Sequence, residues 1–190
     1  MMSSSAADAH EAPAGPTLAD QPASSPVTLS EGSLIALALA RIFFGLLWFQ
    51  QIAWKMPPDF GGLRTDVLRE IRYTILPGYS SIIQNVFLTH FSILGAFIWT
   101  AELLVGVSLL LGLFSRLGAA LSLLLSMQLY VGIAYAPGEW YGAYGLLLML
   151  SLVLVALPAG RRLGIDHILW NRFSQAAQTR RLARLVRHLL

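Results

Sequence analysis

The chain has 190 residues, 56% of them hydrophobic and only 12% charged, with a mean hydropathy of +0.63, a balance that excludes an ordinary water-soluble domain. It has no cysteine, which excludes a disulfide framework, thiol redox chemistry and thiolate-held metal or Fe–S clusters. The net charge of +3 reflects arginines crowded at one end beside an apolar middle, a pattern that fits anionic lipid headgroups and argues against nucleic acid.

Residues 1–32 are rich in Ala, Ser and Pro, hold no Lys or Arg, and show no apolar periodicity. Such a segment cannot bury enough surface to offset its ordering, so a disordered tail is expected. No basic stretch followed by a short apolar run opens the chain, so the first membrane helix is expected to act as the insertion signal.

A stretch of about 20 mainly apolar residues suffices to cross the hydrocarbon as a helix. The first runs over residues 33–54, with Ser30 or Ser33 as cap and Met56-Pro57-Pro58 as its stop, interrupted in its deeper part by Arg41. The second covers 92–114 and carries Glu102 near its middle, with Arg116 at its exit. The third, 117–135, ends at Ala136-Pro137-Gly138, and the fourth, 141–157, ends at Pro158-Ala159-Gly160. Trp54, Tyr130, Tyr135, Trp140 and Tyr141 then fall at one end, where amphipathic rings favour the headgroup layer. The expected fold is therefore all-α, an integral membrane four-helix bundle.

Between the first two crossings, residues 64–91 are too polar to span. Val67, Leu68, Ile71 and Ile75, then Ile82, Ile83, Val86 and Phe87, recur at helical spacing, with Pro77-Gly78 between the two sets. Two short amphipathic helices are expected, lying on the outer surface or folded over the mouth of the bundle. In 171–190, Arg180, Arg184 and Arg187 share one helical face and Leu182, Leu185, Val186 and Leu189 the other. That segment reads as a basic interfacial helix bound to anionic lipid, with docking onto a partner chain as the alternative.

Orientation follows from the basic residues. With four crossings, Arg116, Arg161, Arg162, Arg172, Arg180, Arg181, Arg184 and Arg187 share one side against Lys55, Arg64, Arg69 and Arg72 on the other. The positive-inside rule places both termini in the cytoplasm of a multi-pass protein of the cell (inner) membrane.

Arg41 and Glu102 carry the sharpest chemical signal, because an ionisable side chain within the bilayer costs several kcal/mol. Counted from level helix ends at about 1.5 Å per residue, the two sit at similar depth, so a buried Arg41–Glu102 ion pair is expected. One reading makes that pair a structural register device. The other makes the two residues catalytic, Glu102 exchanging protons or hydrogen-bonding a quinone and Arg41 stabilising anionic intermediates. Trp54, Lys55 and Gln51, with Gln50, form a polar and aromatic cluster at the outer mouth where a quinone head could enter, although interface anchoring and snorkelling account for the same residues. His90, near the outer helix ends, is a candidate proton carrier. No metal site is expected, as the four histidines are scattered. Gly106, Gly112, Gly118, Ala119 and Ala120 read as close helix contacts.

Arg41-Ile42-Phe43-Phe44-Gly45 followed by Lys55, then Glu102 leading to Gly106 and LLLGLFSRLGAAL, then GRRLGIDHIL after the fourth helix, together resemble the DoxX/DoxD membrane protein family over about residues 34–170. The resemblance implies a four-helix domain over 33–170 and, for the DoxD branch, the membrane part of a thiosulfate:quinone oxidoreductase acting with a smaller partner. Its matching positions are Arg41, Lys55, Glu102, Arg116, Arg161 and Asp166, and fold alone assigns none of them a catalytic role. Asp166, following Gly164, reads as the cap of a short helix running towards Trp170. The non-enzymatic alternative is an accessory subunit that stabilises a larger respiratory or photosynthetic membrane complex. A solute carrier fits less well, for want of broken helices in repeat.

Overall fold

A computed structural model describes residues 30–157 and 163–168. Residues 1–29 of the tail read as disordered, the basic interfacial helix and the arginines at 161 and 162 lie outside the described residues, while Glu31 and Gly32, read as the end of that tail, open the first helix. Those that are described form helices and no strand. The long ones are α1 (Glu31–Ile52), α4 (Phe91–Leu111), α5 (Ser115–Gly132) and α6 (Tyr141–Ala156), with α2 (Gly61–Tyr73) and α3 (Tyr79–Ile82) between the first two. A 3₁₀ turn, Ala53–Lys55, extends α1, and a π-helical stretch, Ile83–Leu88, extends α3. Ser30 caps α1 by accepting from the Ser33 backbone N–H. Two helices, Glu31–Lys55 with its 3₁₀ turn and Phe91–Leu111, are long and apolar enough to cross a membrane, and Tyr141–Ala156 is a shorter apolar helix.

The bundle is a chain of neighbours. α1 packs along α4, α4 along α5 and α5 along α6, whereas α1 and α6 barely touch. Two glycines set the first contact: a Cβ on Gly45 would come within 2.7 Å of the Leu110 backbone, and one on Gly106 within 3.2 Å of the Phe49 backbone. Only a bare Cα lets the two backbones approach this closely. Around it Phe44, Trp48, Val105, Leu109, Ala119 and Leu154 make one core, with Phe44 and Trp48 edge to face at 6.3 Å between ring centroids.

That glycine contact fixes a register different from the one helix ends alone suggest. In the antiparallel pair, Gly45 lies against Leu109 and Leu110, Phe49 against Gly106, and the Ile52 carbonyl near the Trp99 indole. Arg41 is therefore level with Gly112, and Glu102 with the end of α1. At about 1.5 Å per residue the two charges stand roughly 15 Å apart along the axis. The expected Arg41–Glu102 pair does not form, because α1 overruns the end of α4 by several turns and depths counted from level ends mislead.

The α5–α6 contact uses polar side chains. Ser122 and Ser151 hydroxyls lie 2.7 Å apart, and Ser126 is 3.4 Å from Ser151, all three fully buried. Ser151 also donates to the Leu147 carbonyl one turn back at 2.8 Å, and the interhelical bonds tie the two helices together.

The segment between α1 and α4 folds over one end of the bundle. Leu63 and Val67 of α2 join Phe60, Ile83 and Phe91 in a second core. Glu70 turns inward to α5, and the Thr74 hydroxyl and Ile75 N–H both bond the Val131 carbonyl. Ile71, Phe87 and Leu88 pack half-buried against that core, whereas Leu68, Ile75, Leu76, Ile82 and Val86 are exposed.

At the opposite end, residues 163–168 return to the bundle. The Asp166 carboxylate accepts from the backbone N–H groups of Phe114 at 2.7 Å and Ser115 at 2.9 Å, and from the Ser115 hydroxyl. Asp166 thus caps the N-terminus of α5 and not a short helix of its own, since it lies inside the helical stretch 165–168 with its carboxylate turned to α5. The Asp166 N–H bonds the Gly112 carbonyl at 2.8 Å. Arg41 donates to the Leu163 carbonyl at 2.7 Å, so this clasp receives the arginine that Glu102 does not.

Candidate functional site

A helix with apolar residues all round buries its few polar ones for a reason. On α1, Arg41, Phe44, Trp48 and Ile52 share one buried stripe, which the 3₁₀ turn continues to Lys55. Lys55 is 3% exposed, and its Nζ donates to Glu102 Oε1 at 2.7 Å. The ammonium also lies 5.1 Å from the centre of the Trp54 ring. Trp54 in turn donates its indole N–H to Gln51 Oε1 at 3.1 Å.

This ion pair stands at the floor of a cleft of about 640 Å³, within the size range of small-molecule sites. Phe44, Trp48 and Gln51 of α1, Leu129 of α5 and Leu147 and Leu150 of α6 wall it, and Asp66, Arg69, Glu139 and Tyr144 close its outer end. Leu47 and Leu146, on its α1 and α6 edges, are 50% and 62% exposed. The gap between α1 and α6 is the cleft's lateral opening.

Two polar atoms at this cleft are buried without a hydrogen-bond partner, Trp48 Nε1 and Glu102 Oε2. Leaving such a group unsatisfied costs about 1–3 kcal/mol. Trp48, Lys55 and Glu102 all belong to the cleft lining, which gathers an indole, an ammonium and a carboxyl group there.

The outer end is held by a second ion pair. Arg69 of α2 meets Glu139 at 2.7 Å and donates to the Pro137 carbonyl at 3.0 Å. Tyr144 donates to the other Glu139 oxygen at 2.7 Å. These bonds fasten α2 to the loop between α5 and α6.

One helical turn from Asp66, Glu70 is buried at 3% exposure. It accepts from Gln128 Nε2 at 2.7 Å and from the Tyr79 hydroxyl at 3.4 Å, and Gln128 also reaches the Tyr79 oxygen at 3.2 Å. Burial pushes the Glu70 carboxyl up to about 7, against the opposing pull of these hydrogen bonds. Burial likewise raises Asp66, with Lys55 and Arg69 pulling the other way. Tyr79 is pushed up to about 12 by burial and by the neighbouring Glu70 charge.

Of the residues singled out from sequence, Glu102, Lys55, Trp54 and Gln51 meet at this cleft. Arg41 lies at the far end of α1, in the clasp with Leu163. His90 is exposed, its Nδ1 3.1 Å from the Val86 carbonyl one turn back. Neither lines the cleft. Trp48, Asp66, Arg69, Glu70, Glu139 and Tyr144 were missed. A signal existed for Trp48, one α1 face running from Phe44 to Lys55, and for Asp66 and Glu70, acids four residues apart in an amphipathic segment. No group of three or more His, Asp or Glu that could hold a metal ion occurs among the described residues.

Comparison with protein-family models, with curated proteins and with solved structures finds no match to this chain.

Proposed function

We propose that the protein is the membrane-embedded, quinone-binding subunit of an oxidoreductase, built as four membrane crossings, α1, α4, α5 and α6. The observation that carries this reading is the gathering of Lys55, Trp48 and Glu102, the last two each with a buried polar atom that lacks a hydrogen-bond partner, in the lining of a cleft with apolar walls. A quinone suits that lining. Its ring and isoprenoid tail take the apolar walls and the lateral gap between α1 and α6. One carbonyl accepts from the Trp48 N–H or the Lys55 ammonium, and Glu102 serves the hydroxyl of the quinol.

The surface supports a lipid setting for all four helices. Phe43, Ile93, Phe97, Leu124, Leu146 and Met149 are between 60% and 72% exposed, while Arg41, Lys55, Glu102 and four serines are buried. That polarity is inverted relative to a domain dissolved in water. In the proposed orientation both termini are cytoplasmic and α2 and α3 cover the outer mouth, with the basic C-terminal segment on anionic lipid.

The resemblance to DoxX/DoxD supplies the reductant, thiosulfate. In the balanced reaction, two thiosulfate ions join through a new S–S bond to give tetrathionate, and the two electrons released pass with two protons to the quinone. The polar lining of the cleft carries Lys55 and Arg69 against Asp66, Glu102 and Glu139, no preference for a free dianion. Electrons therefore reach the quinone from a partner chain, in keeping with the absence of cysteine.

The test is purification from the native membrane with co-purifying chains, followed by thiosulfate-dependent quinone reduction by wild type and Glu102→Gln. Reduction by the wild-type assembly and its loss in the variant support the reading. No reduction by the wild-type assembly, together with a purely structural effect of the substitution, favours the accessory-subunit alternative.

A further inference from the structure

The geometry points to a proton route from the outer surface to the quinone cleft along the inward face of α2, with Glu70 and Asp66 as its relay groups. It rests on the reading of the cleft as a quinone site. Asp66 and Glu70 stand four residues apart, so they occupy one helix face a single turn from each other. Asp66 opens into the cleft beside Lys55 and Glu102, and Glu70 lies on the far side of that turn, under the half-buried Tyr79.

Glu70 has no explanation as an ion-pair member. Lys55 pairs with Glu102 and Arg69 with Glu139, whereas Glu70 is held by the neutral Gln128 and Tyr79. A glutamine would tie α2 to α5 by similar bonds, without the cost of burying an acid. The backbone makes room for this acid: a Cβ on Gly132 would come within 2.9 Å of its carboxyl carbon. The groups facing it are Asp66 on its own helix, Lys55 from the 3₁₀ turn, Tyr79 from α3 and Gln128 from α5. Burial outweighs them and raises the carboxyl to about 7, a range in which a relay both gives and takes a proton readily.

When the quinone gains two electrons from its reductant, each ring oxygen takes one proton. A proton given up by Glu102 or Lys55 is replaced from Asp66, that of Asp66 from Glu70, and that of Glu70 from outer water past Tyr79. Tyr79 and Gln128 are positioning residues, holding the Glu70 carboxyl toward α5.

The experiment uses the full chain in lipid nanodiscs with decylubiquinone as the probe and an electrode as the electron source, recording reduced-minus-oxidised infrared difference spectra. The wild type is expected to show a protonated-carboxyl signal that is lost in Glu70→Gln, with decylubiquinone affinity unchanged. Asp66→Asn, which leaves the hydrogen bonds of Glu70 in place, provides the second arm and is expected to abolish the Glu70 signal's response to quinone reduction. An unchanged spectrum in both variants, with the quinone still bound, overturns the relay and leaves the quinone site standing. Absence of decylubiquinone binding by the wild type overturns both.

Discussion

Lys55 Nζ lies 2.7 Å from Glu102 Oε1, an ion pair with both side chains at most 4% exposed. It joins the 3₁₀ turn that extends α1 to the middle of α4 and leaves the second Glu102 oxygen buried without a hydrogen-bond partner. The pair ties the packing of two helices to the lining of the cleft.

Breaking this pair one residue at a time strands a buried charge. Lys55→Met or Glu102→Leu alone is expected to destabilise by about 3–5 kcal/mol, and the double substitution to recover most of that loss. Thermal midpoints of the four proteins in one detergent, arranged as a double-mutant cycle, measure it. Strict additivity of the two single effects contradicts the pairing.

The register that separates Arg41 from Glu102 rests on Gly45 and Gly106. Adding a side chain to Gly45 forces α1 off α4, at a cost of about 1–3 kcal/mol for Gly45→Ala and more for Gly45→Leu. Thermal unfolding in detergent gives the ranking, and an unchanged midpoint for Gly45→Leu rules out the close contact.

Asp166 satisfies two orphan N–H groups at the start of α5 from 51 or more residues away. Asp166→Ala is expected to cost about 1–2 kcal/mol. Asp166→Asn, which keeps one acceptor oxygen, falls between it and wild type in the same unfolding assay.

The Glu70 carboxyl stands at about 7 against an ordinary value of 4.5. Between those values the folded chain binds more protons than the unfolded one, so stability falls as pH rises through that window. The drop is on the order of 3 kcal/mol across it. Glu70→Gln flattens this part of the profile, read from denaturation midpoints between pH 4 and 8. A slope that is the same in both proteins removes the buried acid as its cause.

The helical elements were legible because their signals are local. Apolar runs closed by Pro and Gly mark α1, α4, α5 and α6 within a few residues, and the two apolar stripes of 64–91 mark α2 and α3. The pairing of charges was not legible. Arg41 and Glu102 invited each other as deeply placed opposite charges, yet Gly45 and Gly106 slide α1 along α4 by a distance no single helix records. Lys55 read as a snorkelling end residue, since its burial depends on α2 folding over it. Asp166 carried the chemistry of a cap, but which helix it caps depends on how residues 163–168 return. Trp48 escaped notice because an aromatic residue in an apolar helix reads as core, and its indole N–H differs only in lacking a partner.

The central claim, that the cleft between α1, α5 and α6 binds a quinone through Trp48, Lys55 and Glu102, is tested most directly by equilibrium binding of decylubiquinone to the purified full chain in nanodiscs. The wild type is expected to bind saturably, and Trp48→Phe to weaken binding by about tenfold, the worth of one hydrogen bond to a carbonyl. Phe43→Leu, on the outward face at 69% exposure, is expected to leave binding unchanged. Absence of saturable binding by the wild type, or wild-type affinity in both Trp48→Phe and Lys55→Met, contradicts the account.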